Sequence, residues 1–270
     1  MKPDTSMRIW PREVEGEHQP TLELFPLDNW LAADTVLVLP GGGYAYTSPR
    51  EADRVAYAFN QQGFQAAVLY YRVAPRHFPE PQQDAIRAIR LLRAHAEEWK
   101  LGSRIAVCGF SAGGHLAASC GTIWKEIDAD AGDDADRMES RPDALILGYP
   151  VISLTEFGHV GSSKNLTGQE SETESWRRLN LQDRVTAETP PSFLWHTATD
   201  GAVNRRNSLA FAEAAWEAGV PAELHVFSRG PHGLSLATQF PEERCWVELA
   251  GKFLHLVCGF ETAHYIETKK

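Results

Sequence analysis

Ile105-Ala106-Val107-Cys108-Gly109-Phe110-Ser111-Ala112-Gly113-Gly114 is the stretch that decides the fold. Four small or branched apolar residues predict a strand buried on both faces. A G-x-S-x-G turn follows directly, and a helix-like run over His115–Trp124 follows the turn. Strand, turn and helix in that order, with serine at the turn, is the setting of a nucleophile elbow. The reason is steric: small residues on either side of the serine let strand and helix approach closely. The Ser111 Oγ is then held out at the carboxyl end of the sheet, beside the free N–H groups of the helix N-terminus. A glycine turn with an incidental serine is the plainer alternative, and the flanking strand and helix favour the first reading.

The pattern repeats outward from this turn. Val36–Leu39, Ala66–Tyr71, Ala144–Leu147, Phe193–His196 and Leu224–Phe227 read as further strands, mostly apolar on both faces. Helices are predicted between them. Over Pro81–Lys100, Ala85, Ile86, Ile89, Leu92, Ala96 and Trp99 form one stripe, with Gly102 as a terminal cap. Asn207–Ala218 turns Leu209, Ala212 and Trp216 to one side, and Glu242–Val257 turns Trp246, Leu249, Phe253 and Val257. Alternation of this kind predicts one α/β domain over 1–270. Residues 1–30 hold two short strand-like pieces, Arg8–Trp10 and Leu22–Phe25, expected to form an edge hairpin. Residues 151–190 are long, polar and weakly patterned, and are expected to form a small cap or lid.

A serine nucleophile needs a base, and the base needs a carboxylate to orient it. His232, in Arg229-Gly230-Pro231-His232-Gly233, follows the last strand at the carboxyl edge. His196 and His225 lie inside strands, and His115 sits one turn into the helix after Ser111. Asp200 stands just past the strand Phe193–His196, whereas Asp143 and Asp183 precede strands and fall at the wrong end. Ser111, Asp200, His232 is the chain order of α/β-hydrolases. Leu39-Pro40-Gly41-Gly42-Gly43-Tyr44 ends the first core strand, so the N–H groups of Gly42 and Gly43, with that of Ala112, are candidates for an oxyanion hole. No phosphate-binding glycine pattern is present. Tyr44, Phe110, Tyr149 and Trp195 fall at or near strand ends and are candidates to line a substrate pocket, with core positions as the alternative. Arg50, Glu51 and Arg72 are charged residues beside the same edge, expected to form a salt bridge between the Arg72 strand and the helix from Arg50.

The glycine run with Tyr44, Gly-Phe-Ser-Ala-Gly-Gly-His, Pro190–Thr197 and Gly230–Gly233 together resemble the α/β-hydrolase superfamily. More narrowly they are similar to bacterial acetyl-esterase/lipase-like hydrolases of the xylanase-B-like and acetylxylan-esterase-like kind, from about Val36 onward. The resemblance implies a mostly parallel sheet of about eight strands. It also implies a carboxylesterase acting on short acyl esters, acetyl esters of sugars among them. Two positions depart from the pattern: Pro40 stands where many esterases begin an H-G-G-G motif with histidine, and Gly201-Ala202-Val203-Asn204 replaces a second acid and a Val-Pro step.

Composition narrows the remaining classes. The 270 residues carry 26 basic against 36 acidic side chains, a formal charge of −10. Without a basic cluster, nucleic acid and anionic membrane are excluded as main partners. Arg87, Arg90 and Arg93 read as a solvated helix face, and Asp128–Asp136 as a solvated loop. No apolar run reaches the roughly 18 residues of a membrane span. The start of the chain shows no secretory signal, and the four spaced cysteines read as buried reduced thiols, so a cytoplasmic location is expected. No metal or organic cofactor is called for. The expected function is a serine carboxylesterase with a small-molecule ester substrate, and a homodimer is one arrangement the resemblance allows. An amide hydrolase with the same three residues, and a catalytically silent binding protein, are the alternatives.

Overall fold

The computed structural model describes residues 3–14, 19–27 and 32–263. Its sheet has eight strands: β1 (Thr5–Arg8), β2 (Thr21–Phe25), β3 (Ala33–Leu39), β4 (Gln65–Tyr70), β5 (Leu101–Phe110), β6 (Ala144–Gly148), β7 (Ser192–Thr197) and β8 (Ala222–Phe227). They lie in the order β1-β2-β4-β3-β5-β6-β7-β8. β1 and β2 pair antiparallel with each other and β2 with β4; every other pairing is parallel. The edge hairpin therefore exists, with its first strand at Thr5–Arg8 rather than Arg8–Trp10.

The two faces of β3 sort the core. Leu37 and Leu39 point to one side, where they join Ala67, Leu69 and the helices α2 (Glu80–Ala94), α3 (Ala112–Thr122) and α6 (Arg206–Glu217). Val36 and Val38 point to the other, against α1 (Asp53–Asn60) and α7 (Trp246–Leu256). All four are fully buried, each contributing about 1.5–3 kcal/mol by leaving water. A strand covered on both faces must read as an unbroken apolar run, which is why β3, β5 and β6 were visible in the sequence.

Several local expectations are corrected. α2 stops at Ala94, and residues 95–100 turn, with Lys100 at φ 52°, before β5 begins. Gly102 lies within β5 and caps nothing; a Cβ there would come 2.2 Å from Asp34 Oδ1. α6 buries Asn207, Ser208, Phe211, Ala212 and Ala215, leaving Leu209 and Trp216 exposed. The polar residues are inward because Asn207 Oδ1 accepts from the backbone N–H groups of Ile152 and Ser153. Arg87 is only 2% exposed and meets Asp133 and Asp136, while Arg90 meets Asp130. The acidic stretch is thus the counterion of Arg87 and Arg90 and not merely solvated. All four thiols are free, Cys108 and Cys120 buried, Cys245 and Cys258 partly exposed. No described helix is long and apolar enough to cross a membrane. Residues 151–190 fold into α4 (Val160–Thr167), α5 (Glu174–Arg178) and a short turn at Leu181–Arg184.

Candidate active site

Because β3, β5, β6, β7 and β8 are parallel, their carboxyl ends share one edge. Leu39 pairs with Gly109, Phe110 with Gly148, and Thr197 with Phe227. The loops that follow these strands therefore converge, and they carry the glycine run, Ser111, Asp200 and His232.

Ser111 joins β5 to α3 with φ 53° and ψ −119°, a conformation L residues rarely adopt. The close approach this demands is read from two glycines. A Cβ on Gly109 would lie 2.0 Å from Gly113 O, and one on Gly113 would lie 2.2 Å from Leu39 O. Ser111 N donates to Gly148 O at 3.0 Å, and its carbonyl accepts from Val151 N at 2.9 Å. The backbone is thus held by β6 and by the chain after it, while the Oγ faces the cleft.

His232 Nε2 lies 2.9 Å from Ser111 Oγ, and its Nδ1 lies 2.7 Å from Asp200 Oδ2. Asp200 Oδ1 accepts from the N–H groups of Ala202 and Val203, both at 2.9 Å. The atypical Gly201–Asn204 segment therefore still closes on the carboxylate through its backbone. Burial opposes ionisation of Asp200, but hydrogen bonds from His196, His232 and Val203 outweigh it and hold the carboxyl well below the usual range. It stays a carboxylate, which fixes Nδ1–H on His232 and leaves Nε2 free to accept a proton from serine. Thr197 Oγ1 and Thr199 Oγ1 both bond Gly230 O, tying the loop of Asp200 to the loop of His232.

Ala112, Gly42 and Gly43 sit beside Ser111. Among the described residues, the N–H groups of these three donate to no backbone or side-chain acceptor outside their own helices and strands. Gly42 (φ 127°) and Gly43 (φ 66°) occupy left-handed backbone that favours glycine. The loop is anchored by Glu51, whose Oε2 accepts from Gly41 N at 2.9 Å and whose Oε1 accepts from Tyr149 OH at 2.6 Å. Tyr149 OH in turn accepts from Ser235 N, and its ring stands edge-on to His232 with centroids 5.0 Å apart. Glu51 thus braces the glycine loop and the histidine loop together. The expected link from Arg72 to the helix from Arg50 is absent: Arg72 pairs with Asp84 and Glu80 of α2.

The pocket expectation is corrected. Tyr44, Phe110 and Trp195 are fully buried, and Tyr149 is nearly so. Strand-end aromatics pack inward here, with Trp195 stacked on Trp246 and Phe110 set edge-on to it. The cleft, about 330 Å³, is walled instead by Gly42, Gly43, Tyr46, Arg50, Ser111, His159, Asn165 and His232. His159 and Asn165 come from the segment predicted as a cap. Asn165 Nδ2 donates to Gly43 O at 2.8 Å, and burial, then the nearby His232, hold the His159 imidazole toward its neutral form. His196, read as a core residue, is buried as expected, with Nε2 3.4 Å from Asp200 Oδ2 and Nδ1 2.8 Å from Ser208 Oγ. Its contact with Asp200 was not foreseen; its place four residues before Asp200 was the available signal. Asp183 is exposed and remote from His232 in the hydrogen-bond network. Among the described residues no group of three or more His, Cys, Asp or Glu is placed to hold a metal.

His115 ties three parts of the site together. Its Nδ1 accepts from Tyr44 OH at 2.9 Å, and its Nε2 donates to Leu179 O at 3.0 Å. Burial lowers its pKa to about 4, against a weaker opposing effect of the Leu179 carbonyl. An unfolded histidine titrates near 6.5, so between about 6.5 and 4 the unfolded chain binds the extra proton. Stability is therefore full above that window and falls as pH drops through it, by up to about 1.4 kcal/mol per pH unit from this group. Thermal unfolding from pH 7 to 4.5 should show that slope, and His115→Gln should flatten it. Equal slopes in the two proteins would contradict the assignment.

Sheet, elbow and the convergence of Ser111, His232 and Asp200 define an α/β-hydrolase. The chain belongs to the BD-FAE family, whose profile matches residues 26–215. It is 34% identical over 224 residues to endo-1,4-beta-xylanase B of Butyrivibrio fibrisolvens, covering 81% of this chain and 35% of the relative. It is 29% identical over 212 residues to acetylxylan esterase of Xylanibacter ruminicola, covering 76% and 42%. The chain thus spans well under half the length of these two curated relatives. A solved acetyl ester-xyloside bifunctional hydrolase from Caldicellulosiruptor lactoaceticus matches at 38% identity and a TM-score of 0.90, over 95% of this chain and 97% of that one.

Proposed function

We propose that this chain is a carboxylic ester hydrolase that cleaves short acyl esters, acetyl esters of sugars among them, through Ser111, His232 and Asp200. The observation that carries the reading is the unbroken run of contacts Asp200 Oδ2–His232 Nδ1 and His232 Nε2–Ser111 Oγ, at 2.7 and 2.9 Å. In the acylation step His232 Nε2 takes the Ser111 proton as Oγ attacks the ester carbonyl carbon. The developing oxyanion accepts from the N–H groups of Gly42, Gly43 and Ala112; one such donor is typically worth about 3–4 kcal/mol. The tetrahedral intermediate collapses, His232 returns the proton to the leaving alcohol, and an acyl-serine remains. Water, deprotonated by the same imidazole, releases the acid and restores Ser111. Asp200 stays ionised throughout and stabilises the imidazolium.

Acetyl preference is supported by the small cleft of about 330 Å³ and by the acetyl-ester-cleaving relatives. The exposed ring of Tyr46 at the cleft wall offers a face on which a sugar could stack. The test is a panel of p-nitrophenyl acetate, butyrate and octanoate, acetylated xylo-oligosaccharides, aryl amides and N-formyl compounds. The proposal expects acetate and acetylated oligosaccharides to be turned over fastest. Faster cleavage of amides or formyl groups would replace it with an amide hydrolase.

A further inference from the structure

The wall that carries His232 also carries charge that the chain does not neutralise. Arg50 and Arg54 are both exposed, Arg50 in the turn just before α1 and Arg54 in its first turn. Neither has an acidic partner among the described residues, whereas Arg72, Arg87, Arg90 and Arg93 all do. The acids nearest in sequence are engaged elsewhere: Glu51 holds Gly41 N and Tyr149 OH, and Asp53 accepts from Tyr70 OH. The Arg50 guanidinium lies against Gly233, the residue after His232, since a Cβ built there would come 3.2 Å from Nη2. Arg50 also borders two spaces at once. One is the cleft with Ser111, and the other is a cavity of about 380 Å³ completed by Arg54 and residues 231–240.

The reaction orients the substrate against this wall. His232 Nε2 must hand its proton to the leaving alcohol, so the alcohol part of the ester lies on the His232 side. We propose that Arg50, with Arg54 beside it, forms a subsite for a carboxylate carried on the alcohol part of the ester, such as an acidic sugar or a hydroxy acid. The inference rests on the esterase reading of the same cleft. A guanidinium matches a carboxylate with paired N–H donors. In a chain of net charge −10 the long-range field repels anions, so an anionic substrate needs local cations at the cleft.

The experiment compares 4-acetoxybenzoate with its neutral methyl ester, which share an acetyl group and differ in charge on the leaving phenol. The kcat/KM ratio of anionic to neutral ester should fall about five- to tenfold in Arg50→Gln, through KM for the anionic ester. It should fall further in Arg50→Gln/Arg54→Gln, and 0.5 M NaCl should narrow the wild-type ratio. A ratio unchanged in both variants overturns the subsite. If wild type cleaves neither ester, the esterase reading fails, and binding still decides the subsite. Calorimetric titration with 4-hydroxybenzoate and its methyl ester should then show a preference for the anion that the double variant loses. A preference retained in the double variant, or absent from wild type, overturns it.

Discussion

Ser111→Ala is expected to lower turnover of p-nitrophenyl acetate by on the order of 10⁶, the scale seen when a serine nucleophile is removed. The fold should survive. Alanine fits the same backbone, and among the described residues the Ser111 Oγ hydrogen-bonds only to His232. The φ 53° strain is set by Gly109, Gly113 and the hydrogen bonds to Gly148 and Val151, none of which the substitution touches. Thermal unfolding should therefore stay within a few degrees of wild type while activity vanishes. A variant that kept more than a few per cent of wild-type kcat would move the nucleophile elsewhere.

Asp200→Asn is expected to cost about 10⁴ in kcat, or roughly 5 kcal/mol of barrier. The change is nearly isosteric, and an amide oxygen can still accept from Ala202 and Val203. The amide nitrogen would then face His232 Nδ1 and donate to it. That forces the proton onto Nε2, which points at Ser111 Oγ, so the ring can no longer act as base. His196 cannot substitute, because both of its ring nitrogens are engaged by Val203 O and Ser208, and the hydrogen bond to Ser111 Oγ comes from His232. Asp183→Asn is the control: exposed and on another loop, it should leave kcat unchanged. If Asp183→Asn proved the more damaging, the acid would be misassigned.

The elbow was legible because its constraint is local. The strain at Ser111 requires small neighbours within four residues, and the sequence shows them as Gly109 and Gly113. The convergence of Asp200 and His232 on Ser111 was legible because both follow a strand at the sheet's carboxyl edge. The cleft walls were not legible. Tyr44, Phe110 and Trp195 sit at strand ends, where either burial or exposure fits a single sequence, and packing against Trp246 and His115 took them inward. Glu51 was visible only as a charge. Its partners, Gly41 and Tyr149, lie 10 and 98 residues away, and one sequence carries no sign of such a pairing. The counterions of Arg87 were missed for the same reason, since Asp133 lies 46 residues downstream.

The central claim is that Ser111 is the activated nucleophile of this cleft. A fluorophosphonate or paraoxon treatment of the folded protein, read by peptide mass spectrometry, tests it most directly. A single stoichiometric adduct on the peptide holding Ser111, lost in His232→Ala, is the predicted result. Full activity without labelling, or an adduct on a different serine that abolishes activity, would contradict it.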